Sequence, residues 1–168
     1  MKNTLFITCP FSCLEVDLQK QFGKEIFFLS STTAALQYEE SEYLEGVKDF
    51  ILRKKIKTIY FVNDTSCRFI NGVIKKKANF GFYPEEVLKR IYTEYYASDF
   101  KRKALSRQQI KLAELNLNKQ MKMIRRCSVL GTYIRESKIE IKGLITIKSK
   151  KKHAEFALSS VDINLYEL

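Results

Sequence analysis

Lys57-Thr58-Ile59-Tyr60-Phe61-Val62-Asn63-Asp64-Thr65-Ser66-Cys67-Arg68-Phe69-Ile70-Asn71-Gly72 is the stretch that decides the fold. Ile59 to Val62 is apolar without alternation and is built from β-branched and aromatic residues, the pattern of a strand buried on both faces of a parallel sheet. Asn63 to Cys67 then reads as the loop at its carboxyl end. Parallel sheets place ligand sites beyond the carboxyl ends of their strands, so this strand delivers Asp64 and Cys67 to that rim. An earlier segment repeats the design: Leu5-Phe6-Ile7-Thr8 runs into Cys9-Pro10-Phe11-Ser12-Cys13. Cys9, Cys67 and Asp64 converging at one rim would be a metal-binding geometry. The plainer alternative is that Cys9 and Cys67 are small buried apolar side chains.

Working outward, Leu14 to Phe22 predicts a short helix ended by Gly23, with Leu14, Val16, Leu18 and Phe22 as its apolar residues. Glu25 to Leu29 predicts a second buried strand, and Ser30 to Thr33 a loop. A helix from about Ser41 to Lys55 carries Leu44, Val47, Phe50 and Ile51 on one face, with Ser41 suited to the N-cap. Strand, helix, strand, helix, strand is the order of a parallel α/β sheet with right-handed crossovers. Beyond Gly72, Pro84 opens a helix bearing Val87, Leu88, Ile91, Tyr92 and Tyr95. Ser106 to Arg126 repeats Ile110, Ala113, Leu117, Met121 and Ile124 at helical spacing, a core stripe. Val129 to Glu136 reads as a short helix or turn. Lys138 to Ile147 alternates at the strand period, and Ala154 to Leu158 resumes the alternation after a lysine-rich turn, forming a hairpin-like edge. The expectation is one α/β domain over residues 1–168, with a parallel central sheet of about four strands, flanking helices and an added C-terminal edge strand.

Composition narrows the functional classes. The chain has 168 residues, 45% of them hydrophobic, enough to bury a substantial core. No segment approaches the roughly 20 apolar residues of a membrane span, and no signal-peptide pattern precedes the first strand. A cytoplasmic protein is expected, in which Cys9, Cys13, Cys67 and Cys127 are thiols or ligands rather than disulfides. The net charge of +11 suits an anionic partner. Yet the runs Lys75-Lys76-Lys77 and Lys148 with Lys150-Lys151-Lys152 lack interleaved arginines and aromatic residues. That argues against nucleic acid at either run without excluding it.

The layout resembles the β-class carbonic anhydrases, zinc enzymes that hydrate carbon dioxide and form dimers or higher oligomers. Their first strand ends in Cys-x-Asp-x-Arg and a later one in Gly-His-x-x-Cys-Gly; the matching positions here are Cys9-Pro10-Phe11-Ser12-Cys13 and Asn63-Asp64-Thr65-Ser66-Cys67-Arg68. Asn116-Leu117-Asn118-Lys119-Gln120-Met121 is similar to the family's Asn-Val-x-x-Gln-Val helix, and Ile139-Glu140-Ile141-Lys142-Gly143 to its Leu-x-Val-His-Gly strand. The resemblance implies a zinc site at Cys9 and Cys67, with Asp64 in place of the histidine ligand and Cys13 as a fourth ligand. It also implies a homodimer.

The departures fall on the chemistry. Phe11 stands where the family has the aspartate that handles the zinc-bound water, Cys13 where it has that aspartate's arginine partner, and Arg68 where it has glycine. Three anionic ligands would weaken the acidification of a zinc-bound water. His153, the one histidine, lies in the lysine-rich turn. These residues argue against an enzyme. The reading they favour is a non-catalytic relative of the family, a scaffold or binding protein with its zinc site wholly or partly lost. A residual zinc-dependent carbonate dehydratase or hydrolase, and a basic nucleic-acid or anion binder, are the alternatives. The sequence leaves open whether Arg68 pairs with Asp64 as a buried cation in the old metal pocket.

Overall fold

A computed structural model describes residues 3–77 and 81–147, together with the strand pairing of 152–157 and 164–167. The strands are β1 (Thr4–Thr8), β2 (Ile26–Ser30), β3 (Thr58–Asp64), β4 (Glu140–Ile147), β5 (Lys152–Ala157) and β6 (Asn164–Glu167), in the spatial order β2-β1-β3-β4-β5-β6. The first four are parallel, and β5 and β6 continue antiparallel. Thus the hairpin-like edge forms, but β6 rather than β5 is the outermost strand. Asn164–Glu167 was missed because four residues are too few to establish a period of two.

The order contains the feature that positions the site. From β1 the chain first winds outward to β2, then returns past β1 to β3 on the other side. The crevice beyond the carboxyl ends of β1 and β3 is therefore the topological switch point. All seven residues of β3 are buried; the apolar pattern predicts this for Ile59–Val62, and the strand runs on through Asn63 and Asp64, which the sequence reads as loop.

Alternation along the central strands sends side chains to opposite faces. Leu5, Ile7, Ile59 and Phe61 join the larger core. It also takes residues from the helices α2 (Ser41–Arg53), α3 (Arg68–Ile74), α4 (Tyr83–Glu94), α5 (Leu105–Arg126) and α6 (Gly131–Glu136). Phe6, Tyr60 and Val62 face the smaller cluster, which Leu14 and Leu18 of the α1 segment complete. Here α1 spans Glu15–Phe22, and the Phe6 and Tyr60 rings stack at 5.0 Å.

Several local expectations need correction. Ser41 is the first residue of α2 and Glu40 occupies its N-cap. Helix α4 ends at Glu94, so Tyr95 sits at its C-cap and is exposed rather than in the core. Val16 is exposed because it projects from α1 opposite Leu18 and Leu14. Lys152 and His153 belong to β5 rather than to a turn, while Lys148, Lys150, Lys151 and Leu158 lie outside the described residues.

Candidate functional site

Two loops meet at the switch point. After β1, Cys9 leads into a 3₁₀ turn over Pro10–Ser12 that ends at Cys13 in the left-handed conformation (φ 49°). After β3, the turn from Asp64 is closed by the Cys67 amide donating to the Asp64 carbonyl at 3.0 Å, and α3 begins at Arg68. Both loops bring their first or last cysteine inward: Cys9 and Cys67 are fully buried, with their sulfurs 4.0 Å apart.

The Cys67 thiol donates to Cys9 Sγ. That hydrogen bond is the largest influence on Cys9, lowering its pKa to about 6 against the opposing effect of burial, with further help from the Thr33 and Phe11 backbone amides and the Ser12 side chain. The same bond requires the Cys67 proton, so together with burial it pushes the Cys67 thiol up. Within the pair the hydrogen bond thus favours the thiolate on Cys9 over one on Cys67.

The Thr33 amide reaches Cys9 because the loop after β2 adopts an unusual path. Thr33 and Ala34 both have positive φ, 57° and 59°, a costly conformation for a β-branched residue. Two buried asparagines hold it there. Asn63 Nδ2 and Asn116 Nδ2 donate to the Thr33 carbonyl at 3.0 and 2.9 Å, and Asn116 Nδ2 also donates to Asn63 Oδ1 at 2.8 Å. Thr33, Asn63 and Asn116 escaped the sequence reading as site residues. The available signal was an amide on the α5 core face, where Asn116 directly precedes Leu117.

Asp64 is buried but directed elsewhere. Its Oδ1 accepts from the Ser66 amide at 2.8 Å and from the Ser66 hydroxyl, and its Oδ2 accepts from Thr146 Oγ1 on β4. Cys13 is exposed, its thiol donating to the Pro10 carbonyl at 3.8 Å. Arg68 is exposed too, its guanidinium 5.1 Å from the centre of the half-exposed Phe11 ring, so it is not a buried cation filling a former metal pocket. Phe11 meets Phe69 edge-on at 5.5 Å.

Of the four ligands proposed from the sequence, then, the structure brings Cys9 and Cys67 together. Among the described residues no group of three or more Cys, His, Asp or Glu side chains is gathered to hold a metal ion. Two thiolates on one tetrahedral zinc, each about 2.3 Å from it, would lie about 3.8 Å apart, so the sulfur pair by itself suits zinc. The complete donor set does not fit, since the Asp64 carboxylate serves Thr146 and Ser66 and the Phe11 position has no polar group. A cavity of about 840 Å³ opens beside the rim, walled by Pro10, the Ser30–Glu40 loop and residues of α4 and α5 that include Val87, Gln120 and Met123. Tyr38 closes part of it, donating to the Gln120 carbonyl at 3.1 Å, and burial pushes its phenol up.

No protein-family model and no curated protein matches the sequence. Solved structures do match. The β-carbonic anhydrase CafA of Aspergillus fumigatus superposes with a TM-score of 0.79 over 95% of this chain and 77% of its own, at 16% identity. One of two tetrameric β-carbonic anhydrases from Sordaria macrospora gives 0.78 over 92% and 80%, at 14% identity. The chain has the β-carbonic anhydrase fold. CafD of Aspergillus fumigatus, also a β-carbonic anhydrase, gives 0.76 over 93% of this chain and 90% of its own at 18% identity. At such identities the β-carbonic anhydrase likeness concerns the path of the backbone, and the site chemistry rests on the side chains described above.

Proposed function

We propose that this chain is a non-catalytic β-carbonic-anhydrase-like protein, a scaffold or binding protein whose zinc site is wholly or partly lost. The observation that carries this reading is the commitment of the Asp64 carboxylate to Thr146 and Ser66. With Phe11 and Cys13 at the Asp-Arg positions, neither of the two loops offers a second carboxylate to orient a water at the sulfur pair. Each lost orienting group around a metal typically costs about 10–100-fold, so three together bring hydration toward background. The test is stopped-flow carbon dioxide hydration on zinc-supplemented protein, beside the variant Phe11→Asp, Cys13→Arg, Asp64→His. No turnover in the natural chain is expected, and robust turnover there overturns the proposal.

The second reading is a residual zinc-dependent carbonate dehydratase or hydrolase, favoured by the 4.0 Å separation of the Cys9 and Cys67 sulfurs. Elemental analysis of protein purified without chelator separates the two, because zinc near one equivalent is needed for the enzyme.

The scaffold is further proposed to be a homodimer. Phe11, Val16, Phe82 and Tyr83 are exposed, apolar surface that a second copy would cover. The tetrameric state of the Sordaria macrospora proteins supports association of this fold. No helix among the described residues is long and apolar enough to cross a membrane. Four free thiols suit a reducing compartment such as the cytoplasm.

A further inference from the structure

Besides the lysine runs that stand out in the sequence, the described residues hold a basic surface of another kind. That surface lies between α4 and α5, in Tyr95-Tyr96-Ala97-Ser98-Asp99-Phe100-Lys101-Arg102-Lys103-Ala104-Leu105-Ser106-Arg107. The segment begins as a π-helical turn over Tyr96–Phe100 and is pinned by Phe100, which is buried against Tyr92 with ring centres 4.6 Å apart. The chain then reverses through Arg102 in the left-handed conformation (φ 60°). Gln108 fixes the reversal: its Nε2 donates to the Lys103 carbonyl at 2.7 Å, and its Oε1 accepts from the Tyr92 hydroxyl at 2.8 Å. The basic turn is therefore held by a buried ring and a side-chain clamp, so its cations are presented in a preset arrangement.

Lys101, Arg102, Lys103 and Arg107 are all exposed. Among the described residues none of these four is ion-paired. A groove of about 350 Å³ runs beside them, with Lys103, Arg107 and Ile110 on its wall. Its two carboxylates share one lysine, Lys111, 3.7 Å from Asp99 and 3.3 Å from Glu114, so Lys103 and Arg107 outweigh the one carboxylate charge left over. The remaining charge at the groove is positive. Beside the cations stand two aromatic side chains at the surface, Tyr95 and Tyr96, 37% and 44% exposed. Arginine with exposed aromatic rings is the combination that the two lysine runs lack.

We infer that the α4–α5 turn is a docking surface for single-stranded nucleic acid, with Lys101, Arg102, Lys103 and Arg107 contacting phosphates and Tyr95 and Tyr96 stacking on unpaired bases. Single strands are favoured over duplex because only an unpaired base offers its face to a ring. The inference is independent of the thiol pair and of whether the protein hydrates carbon dioxide.

The test is fluorescence anisotropy with a labelled single strand of about 12 nucleotides, inside the range of about 4–16 that such sites occupy, titrated from about 50 to about 200 mM salt. Replacing all four cations (Lys101→Gln, Arg102→Gln, Lys103→Gln, Arg107→Gln) is expected to reduce the log–log salt slope by about 3, as each single-strand phosphate contact contributes about 0.7. Tyr95→Ala with Tyr96→Ala is expected to weaken binding about 10–100-fold and leave the slope unchanged. The control, Lys75→Gln, Lys76→Gln, Lys77→Gln, should keep most of the affinity. All three variants alter exposed side chains, and circular dichroism verifies their folding. Absence of binding at about 50 mM salt, equal or tighter binding of duplex or of anionic vesicles, or a loss in the control as large as in the four-cation variant would each overturn the inference.

Discussion

The loops leaving β1 and β3 arrive at the same crevice and each contributes a buried sulfur, yet they are built in opposite ways. The β3 loop is a buried polar knot: Asp64 binds across to Thr146 on β4, back onto Ser66, and closes its turn through Cys67. The β1 loop turns outward after Cys9, leaving Phe11 half exposed and Cys13 at the surface. The difference shows where this site is rigid. A buried polar group must find partners or destabilise the fold, so the β3 side is fixed by the architecture. In the β1 loop Ser12 is the one buried polar side chain beyond the sulfur, while Pro10, Phe11 and Cys13 are exposed and free to change.

The contrast can be broken most directly at Asp64. Asp64→Ala leaves the buried Thr146 hydroxyl without its acceptor, and takes the acceptor from the exposed Ser66 as well, and is expected to lower the unfolding free energy by about 3 kcal/mol. Denaturant unfolding measures it. A loss below about 1 kcal/mol would mean that the β3 loop is no more constrained than its neighbour.

The sulfur pair sharpens the comparison with a smaller effect. Cys67→Ala removes the donor that holds the Cys9 thiol at about 6, and the Cys9 titration is expected to move upward by about one unit or more, equivalent to about 1.4 kcal/mol. Thiolate absorbance against pH reads this, and an unmoved midpoint would show that the two sulfurs do not communicate. The sign for stability follows from the same shift. A thiol whose folded pKa lies below its ordinary 9.0 contributes stability that is full above 9.0 and is lost as pH falls toward 6. Cys67, pushed upward, contributes in the opposite sense, its share present below 9.0 and lost at higher pH. The natural chain should therefore gain stability from about pH 6 to about pH 9, and Cys67→Ala should flatten the lower part of that rise.

The smallest effect is expected at Phe11. Phe11→Ala removes an edge contact with Phe69 and the ring beneath Arg68, together worth no more than about 1 kcal/mol at a half-exposed position. A loss comparable to that at Asp64 would show that the β1 loop is structural after all.

Much of the framework was legible residue by residue. Leu5–Thr8 and Ile59–Val62 announced buried parallel strands, because a strand covered on both faces needs no polar alternation. The α5 stripe of Ala113, Leu117, Met121 and Ile124 announced its core face through a period of 3.6. The same patterns located Cys9 and Cys67 at the ends of neighbouring strands. They also suggested Asp64 as their companion, since it stands three positions before Cys67 in the chain, and there the local reading stopped. Whether that carboxylate turns to the sulfurs or to Thr146 is set by a strand 82 residues later, through β3–β4 register. Thr33 was read only as loop, because its positive φ is imposed by Asn63 and by Asn116, the latter 83 residues away. Likewise the basic turn after α4 was hidden among exposed residues until Phe100 and Gln108 fixed its path. Periodicity records which side of an element faces the core, and that record is enough to give the layers and the rim. The partners of buried polar groups are chosen by distant segments that leave no period in the chain, so the tertiary structure alone decided what the rim holds.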